Sequence, residues 1–283
     1  MLNRQYNCFI GCDREYEHSK TVIFGAPFDS TTSFRPGTRF APAAIRSESF
    51  GIETYSPYQD KDILDIPVAD IGDIELPFGN TARVLDMIEE RVGQILSDGK
   101  KPLMIGGEHL VTLGALRAAV EKYPDLNVIH LDAHCDLRDE YLGEKLSHAT
   151  VMRRVWDIVG DRRIFQYGIR SGDREEFSFA SRHVIQKKYN LLGFDKTVDS
   201  LRDSPVYFTL DLDVLDTSVF PGTGTPEAGG ITFNELIDAV KKLNGLNIIG
   251  CDINELCPVY DNSGSSTAVA CKILREILLA ITV

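Results

Sequence analysis

Long apolar runs are missing from the sequence, since none approaches the roughly 18 residues that a membrane-spanning helix needs. The amino-terminal stretch MLNRQYNCFIGCDREYEHSK also lacks the basic and then apolar pattern of a secretory signal. The six cysteines form no C-x-x-C pair, which in a large chain without a signal pattern is typical of reduced cytosolic thiols. We therefore expect a soluble, cytoplasmic protein without a membrane partner.

Positive charge is also scarce. Asp and Glu number 42 against 30 Lys and Arg, which gives a formal net charge of −12. Because nucleic-acid binding depends on Lys and Arg that neutralise phosphates, we expect no nucleic-acid partner. The negative charge is compatible with a cationic substrate, although an acidic surface commonly serves only solubility.

No low-complexity tract, internal repeat or linker divides the chain, so we predict one domain over residues 1–283. Short β-branched runs alternate with helical patterns. Strands are predicted at 21–27, 102–105, 127–131, 163–169, 206–210 and 247–253, and helices at 81–97, 110–123, 148–159, 232–243 and 266–281. Because each crossover between parallel strands needs a helix, this alternation predicts an α/β fold, a three-layer α/β/α domain with a mostly parallel sheet.

Side chains that bind metals follow three of the predicted strands, at the sheet edge where such folds bind ligands. These side chains are His109, Asp132, His134, Asp136, Asp211 and Asp213. Residues two apart point the same way while strand geometry persists, so we expect the six to converge. Taken alone, the Asp-Leu-Asp run is also typical of a turn or cap at a strand end.

Four carboxylates in one pocket repel one another strongly, and two divalent cations would balance their charge. Oxygen-dominated ligands with only two imidazoles favour a hard metal such as Mn²⁺ over Zn²⁺. Two metals about 3.5–4 Å apart can share a bridging water and bring its pKa close to neutrality. We therefore predict two Mn²⁺ per subunit and hydrolysis by a metal-bridging hydroxide.

The motifs GGEH, DAHCD and LDLDVLDTSVFPGTGTPEAGG resemble those of the ureohydrolase (arginase/agmatinase) family, and most closely those of agmatinases. The runs RPGTRFAPAAIR and DINELCP extend the resemblance over nearly the whole chain. It implies the arginase/deacetylase-like fold and the same six residues as ligands of a binuclear manganese centre.

The resemblance also implies two catalytic residues. His148 matches a mobile histidine that moves protons, a task that suits an imidazole with an ordinary pKa of about 6.5. Glu255 matches the carboxylate that holds the guanidinium, because this planar cation needs a partner that accepts two parallel hydrogen bonds. Without the resemblance, the sequence favours a histidine at a helix start for His148, and Glu255 is equally well a surface residue.

The substrate is inferred from what the sequence lacks beside the DAHCD motif. Arginases of the family have an Asn two residues after it, with nearby hydroxyls, to hold the α-carboxylate of arginine, whereas this chain has Arg138 there. The missing clamp favours agmatine, hydrolysed to putrescine and urea. Arg138 could itself receive a carboxylate, so 4-guanidinobutanoate and arginine stay open. The charged run 170–176 is expected to be a solvated loop from which Asp173 could meet the substrate tail.

Two other function classes remain as alternatives. A deacetylase on the related fold would use a similar strand end but needs only one metal, and the complete set of six ligands argues against it. A non-catalytic metal-binding relative would have a broken ligand set, and none of the six is missing. Relatives form trimers or hexamers, so the resemblance also implies a homo-oligomer, with a role in polyamine biosynthesis.

Overall fold

A computed structural model describes residues 7–282. The predicted domain over 1–283 also includes residues 1–6 and 283, which lie outside the described residues. The strands are β1 (Thr21–Ala26), β2 (Tyr55–Ser56), β3 (Lys61–Asp62), β4 (Val68–Asp73), β5 (Lys101–Gly106), β6 (Asn127–Leu131), β7 (Ile164–Ile169), β8 (Ile185–Lys188), β9 (Pro205–Asp211) and β10 (Asn247–Asn254). The α-helices are α1 (Ala41–Glu48), α2 (Thr81–Ser97), α3 (Val111–Lys122), α4 (Val151–Val159), α5 (Arg174–His183), α6 (Phe194–Ser200), α7 (Phe233–Lys241) and α8 (Ser265–Ile281).

Eight strands form one sheet in the order β4-β1-β5-β10-β9-β6-β7-β8. Every neighbouring pair in it is parallel, while β2 and β3 form a separate antiparallel ribbon. The predicted parallel α/β sheet is therefore confirmed.

Within residues 7–282, no helix combines the length and apolar character that a membrane span requires.

Helices cover both faces of the sheet. Ile23 of β1 packs in a core with α1, α6, α7 and α8, whereas its neighbours Val22 and Phe24 pack in a second core with α2, α3, α4 and α5. Since successive side chains of a strand point to opposite faces, one strand contributes to both cores. This arrangement confirms the three predicted layers.

The strongly periodic helices match the prediction best. The helix predicted at 81–97 is α2, and the side chain of Asn80 caps it by accepting the Arg83 N–H at 3.0 Å. The helix predicted at 148–159 begins as a 3₁₀ turn, His148–Thr150, and becomes α-helical only at Val151. The segments that form α1, α5, α6, β4 and β8 were not predicted.

The prediction of a solvated loop at 170–176 holds for residues 170–173, which are partly or fully exposed, but is wrong from residue 174 onward. Helix α5 begins at Arg174, and Asp173 caps it by accepting the Glu176 N–H at 2.9 Å. The Glu176 carboxylate accepts the Asp173 N–H in return, and its side chain is buried. Aspartate followed three residues later by glutamate is a capping box, so the sequence contained the signal for this helix start.

Candidate metal centre and active site

The candidate site lies where four neighbouring strands end. Strands β5, β10, β9 and β6 are adjacent in the sheet, and all four run parallel. Their carboxyl ends lead into the segments that carry the predicted site residues, which are His109, Asp132, His134, Asp136, Asp211, Asp213 and Glu255. The topology thus brings together residues that lie up to 146 positions apart in sequence, as His109 and Glu255 do.

His109 lies at the centre of one half of the cluster. Its Nδ1 is 3.0 Å from Asp132 Oδ2, 3.5 Å from Asp136 Oδ2 and 3.3 Å from Asp211 Oδ2. The ring and the three carboxylates are all buried. One nitrogen lone pair and three carboxylate oxygens therefore face a common point, which is the arrangement that a cation stabilises.

His134 and Asp213 form the other half of the cluster. His134 Nδ1 is 2.9 Å from Asp213 Oδ2 and 3.5 Å from Asp132 Oδ1. The two oxygens of Asp132 thus face different halves. The structure brings all six predicted side chains together. Strand periodicity is not the reason, however, since β6 ends at Leu131 and β9 at Asp211.

Two local backbone features replace the strand geometry. Asp136 has a φ of +54°, in the left-handed region, which turns the chain after the DAHCD motif. Beyond β9, the residues Leu212–Val214 form a 3₁₀ turn, in which the Asp213 N–H donates to Asp211 Oδ1 at 2.8 Å. These turns aim the side chains at the cluster without strand periodicity.

The residues present fit a pair of divalent cations. His109 Nδ1 and Asp213 Oδ2 are buried and make no hydrogen bond within the described residues, so each has a lone pair available. Burial, together with the negative charge of neighbouring carboxylates, raises the pKa values of Asp136 and Asp211. Cations would supply both the missing ligand bonds and the missing positive charge.

The contacts of the His109 ring on the side away from the carboxylates determine which of its two nitrogens is free. Its Nε2 lies 2.9 Å from Thr209 Oγ1, and the Thr209 hydroxyl donates to Asp252 Oδ1 at 2.6 Å. Asp252 also accepts from Tyr207 Oη at 2.8 Å and from Asn254 Nδ2 at 2.7 Å. Because the hydroxyl proton goes to Asp252, the Thr209 oxygen accepts from His109 Nε2–H. His109 Nε2 therefore carries a proton, and Nδ1, which faces the carboxylates, is the nitrogen left to bind a cation.

His130 is a buried residue of the site that the sequence reasoning missed. Gln166 Nε2 donates to its Nδ1 at 3.1 Å, and its Nε2 lies 2.8 Å from Asp132 Oδ2. Burial lowers the pKa of this ring, so it is neutral and donates from Nε2 to Asp132. With both nitrogens engaged, His130 orients Asp132. The residue stands two positions before Asp132 on β6, a spacing that could have indicated it.

Glu255 is buried beside the cluster. Its Oε1 accepts the His109 N–H at 2.7 Å, and its φ of +65° turns the chain sharply after β10. Burial and the negative charge of Glu108 raise the pKa of Glu255 to about 8. A buried carboxylate with raised pKa is suited to pair with a cationic group from a ligand.

A cavity of about 260 Å³ opens over these residues. His148 and Ser33 line one wall, and Arg138 and Asp173 line another. Burial lowers the pKa of His148 to about 4. The structure thus places His148, Arg138 and Asp173 around the same cavity as Glu255 and four of the six cluster residues, which are His109, His134, Asp136 and Asp211.

Arg138 is already paired within this wall. Its Nη1 is 3.3 Å from Asp173 Oδ2, its Nε is 3.4 Å from Glu176 Oε2, and its guanidinium stacks 5.1 Å from the Tyr141 ring centre. The positive charge of Arg138 is therefore matched by two carboxylates, one of them buried. On this wall of the cavity, Arg138 and its partners Asp173 and Glu176 together carry no unmatched positive charge.

Comparisons with known proteins agree with this geometry. A family model described as the arginase family matches residues 19–280. An agmatinase of Bacillus anthracis is 48% identical over 279 residues, which cover 96% of this chain and 95% of that protein. A guanidinobutyrase of Pseudomonas aeruginosa is 34% identical over 277 residues, with 93% and 87% covered. The crystal structure of agmatine ureohydrolase of Thermoplasma volcanium superimposes with a TM-score of 0.90 at 36% identity and covers 98% of this chain and 94% of that one.

Proposed function

The chain belongs to the arginase family and is an amidinohydrolase of the agmatinase type, and we propose that it hydrolyses agmatine to putrescine and urea. The observation that carries the choice of substrate is the pairing of Arg138 with Asp173 and Glu176. A substrate with a carboxylate tail would find a guanidinium whose charge is already matched. Agmatine instead presents an ammonium tail, which the excess of carboxylates attracts.

We propose that the six clustered side chains hold two Mn²⁺. His109, Asp132, Asp136 and Asp211 would hold one ion, and His134 and Asp213 would hold the second together with Asp132, whose two oxygens face different halves of the cluster. When bound, divalent cations in such a site act as Lewis acids and lower the pKa of a coordinated water. The oxygen-rich donor set supports manganese over zinc.

Glu255 is proposed to bind and orient the substrate guanidinium. The bond from the His109 N–H to Oε1 fixes the carboxylate at the edge of the cluster. A carboxylate can accept two parallel N–H bonds from one guanidinium, which sets the plane of the group as well as its position. The incoming positive charge also favours the ionised form of Glu255, although burial raises its pKa to about 8.

His148 is proposed to move the proton that the leaving amine requires. Collapse of the tetrahedral carbon releases an amine, which leaves readily only when it is protonated. The ring lies on the cavity wall and, with its pKa lowered to about 4, is neutral at neutral pH. A neutral imidazole can accept the proton that the hydroxyl on the tetrahedral carbon gives up as urea forms, and can deliver it to the leaving amine within the same cavity.

The distal ammonium of agmatine is proposed to meet Asp173. This carboxylate is about two-fifths exposed and faces the cavity beside Arg138. Arg138 takes the role of holding Asp173 and Glu176 in place, so that it contributes to substrate binding through them. The proposed contact separates agmatine from substrates that end in a carboxylate, because that end would be repelled by Asp173.

The test, with the manganese-loaded protein, is release of urea from agmatine, arginine and 4-guanidinobutanoate, and release of formamide from formiminoglutamate. We expect kcat/KM with agmatine to exceed that with each carboxylate-bearing substrate by at least about a hundredfold, because a misplaced like charge costs several kcal/mol. A higher kcat/KM with arginine or 4-guanidinobutanoate would overturn the choice of substrate. Absence of urea from the three guanidino substrates and of formamide from formiminoglutamate would favour the deacetylase or the non-catalytic alternative.

A matched control is the same protein after removal of metal with a chelator and gel filtration. It should lose nearly all urea release and regain it when Mn²⁺ is added back. Full activity of the metal-free protein would contradict the metal-dependent mechanism while leaving the substrate question open to the same assay. We further propose a cytoplasmic homo-oligomer, a trimer or hexamer, that supplies putrescine for polyamine biosynthesis.

A further inference from the structure

A buried carboxylate next to the metal cluster has no role in the mechanism above. Glu108 belongs to the GGEH motif and is fully buried. Its Oε2 accepts the Thr31 N–H at 2.8 Å and the Thr32 hydroxyl at 3.3 Å, and its Oε1 accepts the Thr31 hydroxyl. Glu108 therefore fixes the loop that follows β1 against the end of β5.

The same loop holds His148, which lies more than a hundred positions away in sequence. Thr31 Oγ1 accepts the His148 N–H at 3.0 Å. The Ser33 N–H donates to His148 Nε2 at 3.2 Å, and Ser33 Oγ lies 3.0 Å from the same nitrogen. Thr31 thus anchors the backbone of His148, while Ser33 anchors its ring.

Ser33 can hold the ring in either protonation state. When Nε2 is unprotonated, it accepts the Ser33 N–H, and when it is protonated, the Ser33 hydroxyl oxygen can accept its proton. Both partners are already within hydrogen-bond distance of the nitrogen. A histidine that gains and loses a proton during turnover therefore needs no rearrangement to stay bonded.

We propose that Thr31 and Ser33 are positioning residues for His148, held in place by Glu108. Thr31 sets where the His148 backbone sits, and Ser33 sets where Nε2 sits in the cavity. This inference rests on the proton-transfer role proposed for His148, since the loop acts on the reaction only through that ring. The proposal requires no contact of Thr31 or Ser33 with the substrate guanidinium or with a metal ion.

Thr31→Val removes the acceptor for the His148 N–H and keeps the shape of the side chain. We expect kcat with agmatine to fall by about ten- to a hundredfold, because small displacements of an acid–base group carry losses of this size. The matched control is Thr32→Val, which removes a hydroxyl bonded to the same Glu108 but not to His148. It should stay within about threefold of the unaltered protein, and both variants should keep their manganese content.

The decisive measurement is a double-mutant cycle with His148→Ala. If Thr31 acts through His148, adding Thr31→Val to His148→Ala should lower kcat by less than about twofold further. A further loss as large as in the unaltered background would overturn the positioning role and make Thr31 a general structural residue. Full activity of His148→Ala alone is a different result, which would overturn the proton-transfer role and the positioning proposal with it.

A Ser33 variant tests the proposal independently of Thr31. Ser33→Ala removes the oxygen that accepts from protonated Nε2 and keeps the backbone N–H that donates to neutral Nε2. We expect the pH profile of kcat to shift its His148-dependent limb to lower pH, with KM for agmatine changed by less than about threefold. Ser33→Thr restores the hydroxyl and should restore the profile. An unchanged pH profile in Ser33→Ala would contradict the role given to Ser33.

Discussion

Thr209→Val should weaken metal binding although Thr209 touches no proposed metal position. The threonine hydroxyl accepts from His109 Nε2–H at 2.9 Å and passes its own proton to Asp252. Valine has nearly the same shape as threonine, so its packing against the buried His109 and Asp252 is preserved. The change therefore removes the hydrogen bond behind one proposed ligand together with one hydrogen bond to Asp252.

The magnitude follows from where the His109 proton can go. Without metal, the ring of the variant can move its proton to Nδ1, where three carboxylate oxygens lie within 3.5 Å. With metal bound, the proton must stay on Nε2, which then lacks a partner in a buried site, at a cost of about 1–3 kcal/mol. Because the metal-free ring can instead donate from Nδ1 to the carboxylates, the penalty falls mainly on the metal-bound state, and Mn²⁺ affinity should fall by about ten- to a hundredfold.

The assay is titration of the metal-free protein with Mn²⁺, followed by the electron paramagnetic resonance signal of the free ion. Tyr207→Phe is the matched control, because it removes a 2.8 Å bond to the same Asp252 and leaves the acceptor of His109 intact. Thr209→Ser should restore most of the affinity. Equal Mn²⁺ affinity for Thr209→Val and the unaltered protein would refute the assignment of the His109 proton.

Three further predictions concern the ligands, the cavity wall and the fold. Asp213→Asn should bind about half the manganese and lose nearly all urea release, as measured by metal analysis and the urea assay. Arg138→Gln should change kcat/KM for agmatine by less than about tenfold, because partly exposed ion pairs contribute about 0–1 kcal/mol, and a larger loss would show that Arg138 contacts substrate. Gly107→Ala should lower the midpoint of thermal unfolding, since the added Cβ would lie 1.9 Å from the Phe28 carbonyl oxygen, whereas Gly51→Ala meets nothing within 4 Å and should not.

The sequence predicted those parts of the fold that have a strong period or buried β-branched runs. Helix α2 buries six apolar residues on one stripe, and its predicted ends agree with the structure. Strand β8 at the sheet edge is half-buried and reads Ile-Gln-Lys-Lys, and helix α6 has only 7 residues. Such short or polar elements are stabilised by neighbours distant in sequence, so their own pattern indicates them weakly.

Prediction of the site from the sequence has the same limit, because it also depends on local patterns. The proposed ligands stand within short motifs at strand ends, so the parallel topology alone predicts that they meet. Thr31 and Thr209 carry no comparable pattern, and their contacts bridge 117 and 100 positions to His148 and His109. Which hydroxyl reaches which ring depends on the packing of the loop after β1 and on the register of β9, and neither follows from spacing.

Three of the four histidines of the site show why the motif alone does not assign roles. His109 has one nitrogen bonded to Thr209 and the other free toward three carboxylates, so it can bind a cation. His130 has both nitrogens engaged, one by Gln166 and one by Asp132, so it can only orient a neighbour. His148 is bonded by a loop that suits either protonation state, so it can exchange a proton. The residue type is the same in each case, and the partner of the second nitrogen decides the chemistry.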